Sequence, residues 1–315
     1  MNWRNMWINP VLDKEFRLRM RTPRAAVSVL SYVLVMGLLA MGIIYVLTSG
    51  SMGRTGRIDP TSSRMMFYAL SIAQLVLIAF MTPALTAGVI SGEREKQTLN
   101  MLLTTQQSSA TIILSKLVSS LSFMTLLIVA TLPIYSIVFL YGGVSPSQLL
   151  SVFFFYLFVM LLLGSIGVMY STLFKRTIVS VIMTYGTGLI IFLVTGLVYL
   201  FAFSIEQAQH YASSAPSRPY SWVGYVLGLN PAGALISILE PSFSESAFLV
   251  NWGNFQAKAP IPLWLEFIFV YSVGIAIFLW ISIRKIRPVR GKRFRPESPR
   301  ETGGETTDKV MRKQT

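Results

Sequence analysis

The stretch "LVSSLSFMTLLIVATLPIYSIVFLYGGVSPSQLLSVFFFYLFVMLLLGSIGVMYSTLF", residues 117–174, holds 58 positions without one charged side chain. As a single helix it would run about 87 Å. A bilayer core is only about 30 Å thick. The chain must therefore turn inside it, and "YGGVSPSQ" at 141–148 supplies a Gly-Gly and Ser-Pro turn signal. Two antiparallel membrane helices are predicted, near 112–140 and 149–174. That pair sets the class: an all-α integral membrane protein.

The same criterion extends outward. Residues 25–48, "AAVSVLSYVLVMGLLAMGIIYVLT", are 24 uncharged residues, about 36 Å of helix. A second span is expected over 65–91, kinked by Pro83. Lys175 and Arg176 form a basic turn, followed by a span near 178–203. The last span, 262–283, is stopped by "RKIRPVRGKRFR". Residues 219–239, "PYSWVGYVLGLNPAGALISIL", are also uncharged but are broken at Asn230-Pro231. They read as a broken helical hairpin on the outer side, re-entrant or interfacial, tolerated only when packed on protein. Six transmembrane helices put both termini on one side. Placing both in the cytoplasm puts 22 of the 27 Lys and Arg residues inside, in line with the positive-inside rule. Residues 1–285 form one transmembrane domain, and 286–315 a basic, disordered cytoplasmic tail.

Composition agrees. Hydrophobic residues make up 53% of the chain and charged residues 13%, about half the share of soluble domains. The net charge of +14 fits a membrane topology signal and membrane lipid better than nucleic acid. With no cysteine and one histidine, His210, neither a Cys site nor a multi-His metal site is available. His210 is expected in a surface loop. The long charged lead before the first span, with no small-residue cleavage pattern, reads as retained rather than as a secretory signal.

Two segments carry the functional signal. In "MNWRNMWINPVLDKEFRLRMRTPR" (1–24), Leu12, Phe16 and Met20 share one helical face, while Lys14, Arg17 and Arg21 lie largely elsewhere. This is an interfacial amphipathic helix, with Trp3 and Trp7 as anchors. In "SGEREKQTLNMLLTTQQSS" (91–109), Ser91 can cap a helix, and Glu93 and Glu95 suit its first turn. Arg94 and Lys96 complete the charged cluster. Leu99, Leu102 and Leu103 recur at helical spacing, and Ser108 or Ser109 can cap the next span. On physics alone this short helix can meet the bilayer surface, its own bundle or a soluble partner.

"NPVLDKEFRLRMRTPRA" ahead of a span resembles the opening of ABC-2 type exporter permeases, where NP-x-x-x-KE and an Arg-rich run form an interfacial helix. "SGEREKQTLNMLLTT" is similar to the same family's GERE segment, as are "IILSKL" and "GGVSP" downstream. Gln97 stands where the family often has Gly, Gln106 where it usually has Pro, and Ser115 where Gly commonly precedes the Lys. The resemblance implies a coupling helix between spans 2 and 3, in which Glu93, Arg94, Glu95, Leu99, Leu102 and Leu103 engage a separate ATP-hydrolysing subunit. It further implies two ATPase copies, a second permease subunit as homodimer or heterodimer, and a prokaryotic cytoplasmic (inner, plasma) membrane. No cofactor is expected in this chain; ATP and Mg would act through the partner. The chain has no phosphate-cradling G-x-x-x-x-G-K-[ST] loop, so it is not itself expected to be an enzyme.

Other candidates remain. Glu266 is the one acid inside an apolar span, a transport or interface acid near the outer end where water can reach it. Gln74 and Thr82 are expected to hydrogen-bond between helices. "GYVLG" (224–228) is a small-xxx-small match. The alternatives are an ion-gradient secondary transporter, or an ABC architecture with a mechanical or signalling role. An intramembrane enzyme lacks the acid-base inventory.

Overall fold

The computed structural model describes residues 23–51, 60–98, 108–140, 143–212, 221–248 and 260–286. The interfacial segment 1–22, with Trp3, Trp7, Lys14, Phe16 and Arg17, lies outside them, as do Leu99, Leu102, Leu103 and the tail from 287. Among the described residues there are helices and connections and no strand. The helices are α1 (Pro23–Ser51), α2 (Pro60–Thr86), α3 (Ser91–Glu95), α4 (Ser109–Ala130), α5 (Leu132–Leu140) and α6 (Pro146–Leu173). They continue with α7 (Thr177–Leu189), α8 (Thr195–Ala212), α9 (Val223–Gly228), α10 (Pro231–Leu239), α11 (Pro241–Phe248) and α12 (Leu263–Ile286).

Six stretches are long and apolar enough to cross a membrane: Ala25–Val46, Ser63–Glu95, Ser109–Phe139, Pro146–Leu173, Thr177–Gln209 and Leu263–Ile286. They match the six expected spans, with three internal irregularities. The third is interrupted at Thr131, between α4 and α5, two residues ahead of Pro133, which has no backbone N–H to continue the ladder. The fifth passes through a π-turn at Ile190–Val194 between α7 and α8. The second runs helically through Pro83 to Thr86, and its regular ladder gives way only over residues 87–90. His210 falls within α8 rather than in a loop, because the fifth helix runs beyond its apolar core to Ala212.

Helix α6 is the hub. It packs most extensively on α12 and α2, and also meets α4, α7 and α10. Between Val159 and Thr172 nearly every side chain is buried, so α6 buries all its faces, as a central helix does. Lipid tails are as apolar as leucine, so burial as such stabilises little here. Close packing and hydrogen bonds must hold the helices instead. Both are visible. Tyr156 on α6 donates to the Ser71 carbonyl at 2.8 Å, and Tyr135 on α5 to the Leu70 carbonyl at 3.3 Å. A Cβ on Gly167 would lie 2.2 Å from Thr86 Oγ1, so α6 and α2 nearly touch there. A Cβ on Gly164 would lie 3.0 Å from Leu117.

The segment expected as a broken hairpin is broken where Asn230-Pro231 stands, between α9 and α10. Asn230 caps α10 by accepting from Ala232 N at 2.8 Å. Its amide nitrogen donates to the Phe192 carbonyl at 2.8 Å and Thr195 Oγ1 at 3.0 Å, beside the π-turn. Tyr271 on α12 donates to the Leu229 carbonyl at 3.0 Å. Ala234, Leu235 and Leu239 of α10 belong to the main core. The far end of α10 is tied down by Tyr68 and Gln148, which both donate to the Leu239 carbonyl, at 3.0 and 2.6 Å. Tyr68 also donates to Glu240 at 2.9 Å; with Ser242 at 2.9 Å it holds that carboxyl below the usual carboxylate range. The GYVLG spacing serves close approach: a Cβ on Gly224 would lie 2.3 Å from the Phe248 ring.

Gly167→Leu is expected to separate α6 from α2 and lower the melting temperature of the detergent-purified protein, at a cost of about 1–3 kcal/mol. Gly167→Ala combined with Thr86→Ala should recover part of the loss. A melting curve for Gly167→Leu that overlays wild type would disprove the close contact.

Candidate functional site

The charged cluster 93–96 sits where α2 ends. Over residues 87–90 the regular ladder is interrupted, and backbone groups there need other partners. They find them on two neighbouring helices. Ser171 Oγ of α6 accepts from the Ile90 and Ser91 amides at 2.8 and 2.9 Å. Ser180 Oγ of α7 donates to the Ala87 carbonyl at 2.7 Å. Ser91 is therefore not a side-chain cap. Ile90 holds the N-cap position with no side-chain bond, and the Ser91 hydroxyl turns back to Ala87. The helical ladder re-forms across this point, with the Gly92 and Arg94 amides on the Gly88 and Ile90 carbonyls, and Ser171 takes the Ile90 and Ser91 amides between them. Ser108 does cap the next span, accepting from Thr111 N at 3.1 Å.

The three consecutive charges of "ERE" each bind a different helix. Glu93 pairs with Lys116 of α4, whose side chain is 7% exposed against 25% for Glu93. Arg94 donates to the Thr172 and Phe174 carbonyls, both at 3.2 Å, at the C-terminus of α6. Glu95 accepts from the Thr177 amide at 2.7 Å and the Thr177 hydroxyl at 2.9 Å, at the N-terminus of α7. Arg176, the residue before α7, provides no side-chain cap of its own. A helix end exposes free carbonyls at its C-terminus and free amides at its N-terminus, with the matching partial charges. Arg94 and Glu95 satisfy one end each, with the favourable sign. Residues 91–95 are thus joined to α4, α6 and α7 as well as continuous with α2.

Helix α3 closes with the Gln97 amide on the Arg94 carbonyl at 3.1 Å and the Thr98 amide on the Glu93 carbonyl at 3.0 Å. This is the Schellman arrangement, whose closing residue is left-handed and usually glycine. Gln97 fills it with φ of 58°. The Gly-to-Gln departure noted from the sequence therefore falls at the one non-glycine residue with positive φ among those described. Lys96, Gln97 and Thr98 are exposed beyond the clamp.

Glu266 lies in the first turn of α12, half-buried. Its Oε2 is buried, with no hydrogen-bond partner among the described residues. It packs against Gly228, where a Cβ would lie 2.1 Å away. Oε2 is turned into the α9–α12 contact, where glycine leaves room for it, while the residue as a whole stays partly exposed. Gln74 and Thr82 do face the bundle interior, fully buried, but their side-chain polar atoms have no hydrogen-bond partner among the described residues. Interhelical bonds come instead from other side chains, among them Tyr68, Tyr135, Tyr156 and Asn230. Among the described residues no three His, Asp or Glu side chains are grouped to hold a metal.

Sequence reasoning gave no partner to Lys116. A lone cation in an apolar run must be paired, and the two nearest acids in sequence were Glu95 and then Glu93, of which the structure selects Glu93. Nothing local marks Ser171, Thr177 or Ser180, since they are small polar residues within apolar helices.

These features define a polytopic helical membrane protein with an ordered polar clamp at one end. The ABC-2 family transporter protein profile matches residues 9–252, from Asn9 of the NPVLDKE stretch through the α9–α11 segment. The chain belongs to that family of ABC transporter membrane proteins. No curated protein matches it.

Gln97→Gly is expected to be neutral or to stabilise by up to about 1 kcal/mol, and Gln97→Val to destabilise, since a left-handed side-chain residue costs about 1–2 kcal/mol. Lys116→Met strands a shielded carboxylate and should cost about 3–5 kcal/mol. The Glu93→Gln/Lys116→Met pair should regain most of it. Melting in detergent reads both, and additive effects in the pair would refute the Glu93–Lys116 interaction.

Proposed function

We propose that the chain is the membrane-spanning subunit of an ATP-driven exporter, and that residues 91–107 pass motion from a separate ATPase to the bundle. Family membership supports an ABC transporter permease. The clamp carries the rest. A segment that holds α2, α4, α6 and α7 together by one short run of charges is suited to move them as a unit. Charge-assisted hydrogen bonds give such a joint stiffness.

The roles divide between the two halves of the segment. Glu93, Arg94 and Glu95 make the joint, because their polar groups are engaged within the chain. Leu99, Leu102 and Leu103 supply the apolar face for the partner. ATP and Mg act in two copies of that partner, and two permease subunits pair, as homodimer or heterodimer, around the pathway. The positive-inside bias supports a cytoplasmic clamp end with both termini on that side, and the family resemblance supports a prokaryotic inner membrane. ATP binding drives the bundles between two accessibility states, and a substrate is moved only as far as those states bind it differently.

The test separates docking from transmission. The protein is pulled from its native membrane in mild detergent, its partners are identified by mass spectrometry, and ATP-dependent transport is followed in vesicles. Leu102→Ala/Leu103→Ala should lose a partner carrying a phosphate-cradling loop. Arg94→Ala should keep the partner but lose ATP-dependent transport. A folded wild-type protein that retains no ATPase sinks this reading and favours a gradient-driven transporter.

A further inference from the structure

At the end of the bundle away from the clamp, a cleft of about 680 Å³ opens between α6, the α10–α11 pair and α12. This lies within the 300–1,000 Å³ range of ligand sites. Its wall is aromatic: Phe154, Phe155 and Phe158 on α6 face Trp264 on α12. Phe155 and Phe158 both pack on the buried Phe267 ring, with centroids at 5.5 and 5.9 Å, so this wall is fixed. Ser237 and Ser244 also line it, but their hydroxyls bond each other at 2.6 Å and offer little to a ligand.

The dimensions follow the bilayer. Phe158 lies twelve residues into α6 from Pro146, about 18 Å along the axis. That is close to half of a bilayer core of about 30 Å. The cleft thus runs from the helix ends toward the membrane midplane, and Phe154 at its mouth is 59% exposed. Among the described residues one ionisable side chain lines it, Glu245, which is exposed at the helix-end level, and no Lys or Arg shares the lining.

We propose that this cleft is a binding site for one phospholipid with a primary-amine headgroup, its acyl chain against the phenylalanines and its ammonium at Glu245. A tail gains little by leaving other tails for an apolar wall. Selection therefore falls to the headgroup. A lone carboxylate with no neighbouring cation attracts an ammonium and repels a purely anionic headgroup. This assignment does not depend on the ATPase partner.

The full chain is reconstituted in nanodiscs of equimolar phosphatidylethanolamine and phosphatidylglycerol, and retained lipids are counted by native mass spectrometry. Retained phosphatidylethanolamine should exceed phosphatidylglycerol by about two- to five-fold, the size of a partly exposed ion pair. Glu245→Gln should abolish the preference and Glu245→Lys reverse it. A phosphatidylethanolamine carrying a photoactivatable acyl chain should label peptides around 151–158 and 264–268. A preference unchanged in Glu245→Gln, or labelling spread evenly over the lipid-facing helices, overturns the site. The chain has no cysteine, so Phe154→Cys gives a single thiol. Efficient disulfide dimers through it would show that a second copy covers the cleft, which also overturns the lipid assignment.

Discussion

Two helix ends that face each other across a three-residue turn present opposite partial charges and unbonded backbone groups. At the edge of a bilayer those groups must be satisfied. The turn at 174–176, between α6 and α7, poses this problem, and Arg94 and Glu95 answer it from another span. Their order matters. Exchanged, each charge would oppose the helix end it meets. With Arg94 and Glu95 committed to α6 and α7, Glu93 falls toward α4, where Lys116 needs a partner. Three adjacent side chains thus organise one whole end of the bundle.

The rest of the bundle hangs on α6. The clamp grips its C-terminus, and Gln148 near its start helps hold α10. Between them, Gly164 and Gly167 let α4 and α2 approach closely. A helix packed on every face over its C-terminal half and gripped at both ends is a stiff rod. Under the proposed function, displacement at the clamp reaches the α9–α11 segment through it. The α7–α8 helix, by contrast, has few fully buried residues and carries the π-turn. Asn230 is its main polar tie to the α9–α11 segment.

Helix α2 is less settled. Ser71, Gln74 and Thr82 lie on its buried face with side-chain polar atoms unpartnered among the described residues. Such groups carry the full cost of desolvation. The tyrosines that reach α2, Tyr135, Tyr156 and Tyr185, bond its backbone carbonyls instead. Polarity on a helix face therefore located the interior correctly but did not specify the contacts made there.

The sequence by itself determined the six spans, the turn at 141–148, the break at Asn230-Pro231 and the importance of 93–95. Each is a local property: absence of charge, helix-breaking residues, or charges in an unusual place. Only the tertiary structure decided that Ser91 serves α6 rather than capping α3, that Glu266 turns toward Gly228, and that the ERE charges grip helix ends. Those contacts join residues from 38 to 82 positions apart and depend on how each helix is rotated about its axis. A helix such as α6, apolar all round, carries no periodicity to encode that rotation. Close packing and the need to satisfy buried backbone groups set it instead.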